Sequence, residues 1–229
     1  EQLRRTRIIA TLGPATDAPG MLKKVLAEGV DVVRLNFSHG VADDHRARAA
    51  AARAAAAELG REVAVLGDLQ GPKIRVERFA DGAVHLEVGA RFTLDCRADA
   101  PPGDANRVGV GYLDLWHDVK PGDLLLLDDG LIALDVVEVV VEQVHCRVRI
   151  GGRLSDRKGI NRQGGGLTVA ALSDKDRHDI QLAAELQVEF LAVSFVKCAA
   201  DVEQARRLLR EAGGDAAIVA KIERTEAIA

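Results

Sequence analysis

Val32-Val33-Arg34-Leu35-Asn36-Phe37-Ser38-His39-Gly40 is an apolar run that turns polar as it ends. Its Val-Val, Leu and Phe suit a strand, where side chains alternate between faces with a period of two. Arg34, Asn36 and Ser38 therefore share one face, which carries a guanidinium suited to phosphate and two oxygen donors suited to a cation. Upstream, Arg7-Ile8-Ile9-Ala10-Thr11-Leu12 reads as a buried strand ended by Gly13-Pro14. Pro19 then suits the first turn of a helix with Leu22, Val25 and Leu26 on its apolar face and Gly29 as its stop. Downstream, the alanine-rich stretch from about Asp43 to Leu59 predicts a helix closed by Gly60. Val63-Ala64-Val65-Leu66 is a third strand, running into Gly67-Asp68-Leu69-Gln70-Gly71-Pro72. Strand and helix alternate, and that rhythm predicts a parallel sheet.

From about Lys73 the rhythm changes. Turns at Asp81-Gly82, Pro121-Gly122-Asp123 and Asp128-Asp129-Gly130 punctuate β-forming runs. Val144, Cys146, Val148 and Ile150 alternate with His145, Arg147 and Arg149, the pattern of a half-buried antiparallel strand. No helix is expected in this stretch, which reads as a small all-β domain, a compact barrel. Gly164-Gly165-Gly166 looks like a hinge back into the α/β part. Ser173-Asp174-Lys175-Asp176 opens a helix reaching about Leu186, with Asp where a capping box prefers Glu or Gln. Val188 to Phe195 is a fourth strand, Val202, Ala205, Leu208 and Leu209 mark a helix face, and Ala216 to Ile222 is a fifth strand. The expected division is 1–71 and 170–229 for the α/β part, with 72–169 inserted after its third strand.

Composition narrows the function. The chain has 229 residues, 48% hydrophobic and 29% charged, with a net charge of −4. That balance argues against nucleic acid or an anionic membrane as main partner. No apolar run approaches the roughly 18 residues of a membrane span, and the N-terminus has no signal-peptide core. Cys96, Cys146 and Cys198 are scattered, which points to reduced thiols in a cytoplasmic protein. The missing initiator Met and the end at Ala229 soon after a strand suggest a fragment or processed product.

In parallel α/β folds ligands bind at the carboxyl ends of strands. The first strand ends Thr11-Leu12-Gly13-Pro14, the second Arg34 to Gly40, the third Asp68 to Arg75, and the fifth Lys221-Ile222-Glu223. Lys221 and Glu223 point to the same side, a cation beside a metal-competent carboxylate. Taken alone, such a pair is an ordinary surface ion pair. Strand ends that jointly bring Arg, Lys, Asp and Glu to one place suit an anionic substrate held through a metal. His39 could contact a ligand, while His45, His85, His117, His145 and His178 lack metal-ligand spacing. There is no P-loop or G-x-G-x-x-G.

Taken together, these segments resemble the pyruvate kinase family over essentially the whole chain. The stretches that carry the resemblance are Arg4 to Ala15 (RRTRIIATLGPA), Val33 to Gly40 (VRLNFSHG), Gly71 to Arg75 (GPKIR) and Leu127 to Ile132 (LDDGLI), followed by Arg157 to Asn161 (RKGIN), Ser173 to Asp176 (SDKD) and Lys221 to Arg224 (KIER). The resemblance implies an α/β fold that is part of a (β/α)8 TIM barrel, about five strands, with a small β-barrel domain inserted as a lid. It implies glycolytic phosphoryl transfer from phosphoenolpyruvate to ADP, giving pyruvate and ATP, in a homo-oligomer, a tetramer. By position, Arg34 and Lys221 are the catalytic and substrate-binding pair, and Glu223 is a ligand of Mg²⁺ (or Mn²⁺). Arg75, Lys158, His39 and Asn36 would meet the nucleotide, and Asn36, Ser38, Asp68 and the Leu69 carbonyl match a monovalent-cation site.

Lys73 stands where K⁺-dependent members carry Glu, within Asp68 to Val76, and that segment resembles the K⁺-independent branch. Its ammonium can supply in cis the charge of a bound K⁺. The family's next strand, with a G-D-L-G segment whose Asp completes the Mg²⁺ site, falls outside these residues, so this chain alone is expected to be a poor enzyme. Two other readings stand beside it: a non-catalytic, pyruvate-kinase-like module that binds ligands or a partner, and a different barrel enzyme acting on phosphoenolpyruvate or pyruvate.

Overall fold

The structure, a computed structural model, describes residues 5–228. Arg4, which opens the first resembling stretch, lies outside them, as do the outermost ends of the ranges 1–71 and 170–229. The chain divides into two compact units, one from residues up to Pro72 and from Ala171 on, the other Lys73–Ala170.

The first unit starts with β1 (Ile9–Thr11), α1 (Met21–Ala27), β2 (Val32–Asn36), α2 (Ala42–Glu58) and β3 (Ala64–Asp68). Along β2, Val33 and Leu35 are fully buried while Arg34 and Asn36 keep partial exposure on the opposite face. The alternation read in the sequence is thus an alternation of buried and partly exposed faces. The helix α2 turns Ala49, Ala52 and Ala56 to the core, and these small side chains let it lie close to the sheet. At Gly67 a Cβ would sit 2.8 Å from the Phe37 ring, so the middle strand needs glycine there.

In the second unit the chain forms β4 (Ala83–Leu86), β5 (Arg91–Asp95), β6 (Arg107–Gly109), α3 (Leu115–Asp118), β7 (Leu124–Leu127), β8 (Ile132–Val140), β9 (Gln143–Ile150), β10 (Gly152–Ser155) and β11 (Ile160–Arg162). Six strands form one sheet in the order β11-β7-β8-β9-β5-β6, and β10 pairs with β4. All neighbours in the large sheet run antiparallel except β5 and β6, which run parallel. Phe92, Leu94, Leu125, Leu127, Leu134, Val144 and Val148 fill its core. The expectation of no helix is corrected by α3, a single turn that buries Leu115 completely. One buried side chain is enough to hold four residues in a turn, but too little to leave a periodic signal.

The chain then returns to the first unit through α4 (Asp174–Glu185), β12 (Phe190–Val193), α5 (Ala199–Glu211) and β13 (Ala217–Ala220). The five strands are all parallel, in the order β1-β2-β3-β12-β13. The capping box of α4 forms as read, with the Ser173 hydroxyl accepting from the Asp176 N–H while Asp176 Oδ2 accepts from the Ser173 N–H. Asp176 is fully buried, and its other oxygen accepts the Gly71 N–H at 2.9 Å. The described strands are shorter than their apolar runs, because chain beyond Thr11, Val193 and Ala220 bends into loops that carry the polar groups.

Candidate active site

Parallel pairing sets the strand ends in register. Thr11 lies opposite Arg34, Asp68 lies opposite both Asn36 and Ala192, and Val193 lies opposite Ala220. The residues at and just after these positions form one polar cluster at the carboxyl ends of the sheet. Its centre is Asp68, whose side chain is only 4% exposed. Arg34 Nε donates to Asp68 Oδ2 at 2.6 Å, and Arg34 Nη1 donates to the Thr11 hydroxyl at 3.0 Å. Lys221 Nζ donates to the two Asp68 oxygens at 3.2 and 3.4 Å. Arg34 and Lys221 each keep about 30% of the side chain exposed, so each cation is fixed on one flank and open on the other.

The fourth strand completes the cluster. Ser194, next after β12, accepts from Lys221 Nζ at 2.8 Å and donates to the Leu69 carbonyl at 2.8 Å. The N–H of Phe195 donates to Glu223 Oε2 at 3.0 Å, and Glu223 Oε1 stands 3.6 Å from Lys221 Nζ. Phe195 takes φ +56°, in the left-handed region that a side chain disfavours. Two cations and two carboxylates balance in formal charge. The exposed flanks of Arg34 and Lys221 are able to meet an anion.

Lys221, Arg34, Asp68, Leu69 and Glu223 are thus brought together, as the strand-end reading expected. Asn36 and Ser38 sit beside them at the end of β2, but Asn36 Oδ1 accepts the Ser38 N–H at 3.1 Å and so caps its own turn. His39 is exposed in the loop that follows. That loop is held from behind: Lys175 Nζ donates to the Phe37 carbonyl and to Asp179, both at 2.6 Å, and His45 packs edge-on to Phe37 at 4.9 Å. Burial pushes the His45 imidazole below its ordinary range and the Asp179 carboxyl above its own.

The other sequence-read candidates cluster within the second unit. Lys158 Nζ pairs with Asp128 Oδ1 at 2.8 Å, Lys73 Nζ reaches Asp129 Oδ1 at 3.9 Å, and Arg75 Nη1 donates to the Arg157 carbonyl at 2.8 Å. Asp128 and Asp129 both adopt positive φ, a conformation that aspartate tolerates in tight turns.

Ser194 and Phe195 were not singled out from sequence. The signal was available, since Ser194-Phe195 ends an apolar strand just as Lys221-Ile222-Glu223 does. A lone serine at a strand end, however, carries no chemistry of its own until register sets Lys221 beside it.

Among the described residues no three His, Cys, Asp or Glu side chains group as a metal cage. Glu223 nevertheless suits a divalent ion. It is anchored by one oxygen and 35% exposed, and Mg²⁺ is commonly held by one or two carboxylates with substrate phosphates completing its shell.

Comparison with known proteins bears on the family of the chain. A family model described as "Pyruvate kinase, barrel domain" matches residues 3–229. "Pyruvate kinase II" of Salmonella typhimurium is 55% identical over 227 residues, covering 99% of this chain and 47% of that protein. "Pyruvate kinase" of Haemophilus influenzae is 51% identical over 228 residues, covering 100% of this chain and 48% of that protein. "Pyruvate kinase" of Corynebacterium glutamicum is 43% identical over 225 residues, 98% of this chain and 47% of that protein. The chain spans about half the length of the curated relatives it matches.

Proposed function

The chain belongs to the pyruvate kinase family, and we propose that the protein carrying it transfers the phosphoryl group of phosphoenolpyruvate to ADP in glycolysis, in the cytoplasm. The bond from phosphorus to the enol oxygen breaks, and a bond from phosphorus to a β-phosphate oxygen of ADP forms. The enolate left behind takes a proton on carbon and becomes pyruvate, and the nucleotide leaves as ATP. Such transfers depend on positioning and charge neutralisation more than on covalent help.

The observation that carries this reading is Asp68 drawing Arg34 and Lys221 to one point at the carboxyl ends of parallel strands. Arg34 holds the transferring group, and Lys221 meets the negative charge that builds on it. Glu223 is assigned to Mg²⁺ or Mn²⁺, which when bound neutralises phosphate oxygens. The nucleotide is assigned to Arg75, Lys158, His39 and Asn36, and residues 72–169 to a lid domain on a partial (β/α)8 barrel. A homo-oligomer, a tetramer, is the proposed assembly.

No K⁺ requirement is proposed. Of the oxygens matching a monovalent-cation site, the Asp68 carboxylate takes Arg34 and Lys221, the Leu69 carbonyl takes Ser194, and Asn36 Oδ1 takes the Ser38 N–H. Lys73 is the further positive charge assigned to replace the ion. A coupled assay for pyruvate, run on the protein at its natural length in K⁺-free and Na⁺-free buffer with Mg²⁺, tests both parts. Turnover that needs ADP and Mg²⁺ but is indifferent to added K⁺ is expected. Absence of ADP-dependent pyruvate overturns the activity, and a steep rise on adding K⁺ overturns the second part alone.

A further inference from the structure

We propose that Ser194 is the positioning residue for Lys221: its hydroxyl holds the lysine ammonium in the one orientation that leaves an N–H for the transferring phosphoryl group. The inference rests on the pyruvate kinase reading of the site.

A lysine ammonium is a point charge on a flexible four-carbon stem, and holding it still costs rotamer entropy. Asp68 does not fix it alone, because its contacts are long, 3.2 Å to Oδ1 and 3.4 Å to Oδ2, and Oδ2 is shared with Arg34. The short contact is with Ser194 Oγ, at 2.8 Å. Direction follows from valence. A serine hydroxyl has one proton to give, and here it goes to the Leu69 carbonyl at 2.8 Å. The lone pairs that remain face Lys221, so Ser194 acts toward it as an acceptor of fixed orientation.

Ser194 is itself fixed on every side. It is 2% exposed. Backbone bonds from Leu69 N–H to the Ala192 carbonyl and from Lys221 N–H to the Val193 carbonyl, both 3.0 Å, lock the chain just before it between the two strands it links. Gly71 approaches so closely that a Cβ there would lie 2.9 Å from Ser194 Cβ. The ammonium has three donors; one bridges the two Asp68 oxygens, one goes to Ser194, and Glu223 Oε1 at 3.6 Å is beyond hydrogen-bond reach. The third N–H points to whatever lies on the exposed flank. A group held this way gains most in the transition state, where charge on the phosphoryl oxygens is greatest.

The test compares wild type, Ser194→Ala and Ser194→Cys at natural length; Cys leaves no cavity and accepts hydrogen bonds poorly. Both should lower kcat by about 10- to 100-fold with KM for phosphoenolpyruvate within about 3-fold, the split expected of lost positioning. A serine acting only through Lys221 predicts that Ser194→Ala costs nothing further when added to Lys221→Ala. Unchanged kcat in either folded variant, a loss confined to KM, or additive losses in the double variant each overturn the inference. A crystal structure of Ser194→Ala reads the same question without turnover. Lys221 Nζ should leave its place beside Asp68 and spread over several rotamers, and a lysine that stays put overturns the proposal. A wild type that makes no pyruvate while Lys221 still moves in the variant would sink the kinase reading and spare the positioning role.

Discussion

Among the candidate site residues, one buried carboxylate of the first unit, Asp68, serves two cations at once, whereas in the second Lys158 and Lys73 each have a partner of their own, and that partner is more exposed. Lys158 and Asp128 keep 39% and 17% of their side chains in solvent, and Lys73 and Asp129 keep 33% and 82%. The ionic chemistry is the same, but the freedom differs. A shared, desolvated carboxylate fixes its cations before any ligand arrives, because releasing either one leaves a buried charge less well compensated. An exposed pair is worth about 0–1 kcal/mol and can be exchanged for a ligand phosphate at little cost. The first arrangement suits groups that must already be in place for the transition state, the second groups that close on a mobile ligand.

The largest expected effect tests this contrast directly. Asp68→Ala should cost on the order of 3 kcal/mol, the scale for breaking a mostly buried pair. Asp128→Asn, which breaks the pair and keeps a residue that tolerates the positive φ there, should stay within about 1 kcal/mol. The units can be followed separately, since the long helices all lie in the first unit and the single tryptophan, Trp116, lies in the second. Urea melts read by far-UV circular dichroism and by Trp116 fluorescence should show the Asp68 loss in the helical signal. Equal costs at the two positions would erase the distinction.

Glycines sharpen it next. Gly71 and Gly82 have nearly the same backbone, φ +67° and +73°, but differ in surroundings. An alanine Cβ at Gly71 would lie 2.9 Å from both Ser194 and Phe195, whereas at Gly82 nothing lies within 4 Å. Gly82→Ala should pay only the left-handed penalty of about 1 kcal/mol. Gly71→Ala should cost about 3 kcal/mol, since strain is added to overlap. Melts of similar midpoint would mean that the Ser194 corner yields more easily than its packing implies.

What was legible in the sequence follows the same line. Val33 and Leu35 alternating with Arg34 and Asn36 announce both a strand and its polar face, because periodicity of two is a local property. The convergence of Arg34, Asp68, Lys221 and Glu223 was legible because carboxyl ends of parallel strands must gather. Ser194 was not, because its meaning lies in register with Lys221, 27 residues later, and in the Leu69 carbonyl, which no side-chain pattern reveals. The turn at Leu115 was hidden for a related reason, since tertiary burial of one leucine and not propensity holds it.

Acid should separate the units by smaller amounts. His45 is buried against Phe37, and burial lowers its affinity for a proton. Below the ordinary histidine value of about 6.5 the unfolded chain takes up a proton that the folded unit refuses, so stability is full above that pH and lost as it falls. Asp179, raised by burial, works with the opposite sign, but in the lower window just above the carboxylate range. In the second unit the hydrogen bond from Arg97 holds the buried Asp95 carboxyl down. Its contribution is complete above the unfolded value of about 3.9 and goes only as pH drops through the lower folded value. From pH 7 to about 5.5 the helical signal should therefore melt earlier while the Trp116 signal holds. His45→Phe, which keeps a ring and removes the proton site, should flatten the first trend. A slope that survives in that variant would assign it to other groups.

The thiols give the mildest test, since it perturbs nothing. Cys96 and Cys146 lie in the core of the second unit, and burial pushes their pKa values up to about 11 and about 12. The reactive species is the thiolate, so at pH 8 both are protonated as well as shielded. Cys198, in the first unit, is exposed at the start of α5. Iodoacetamide should therefore add one label to the folded protein, at Cys198, and three in urea, counted by mass spectrometry. Because alkylation of the second unit has to wait for it to open, the rate of the second and third labels measures how often its core does so. A native protein that takes all three labels as fast as Cys198 alone would mean that the second unit opens on the timescale of the reagent. Its exposed ion pairs would then reflect a loosely held unit and not surface cations free to exchange partners over a closed core.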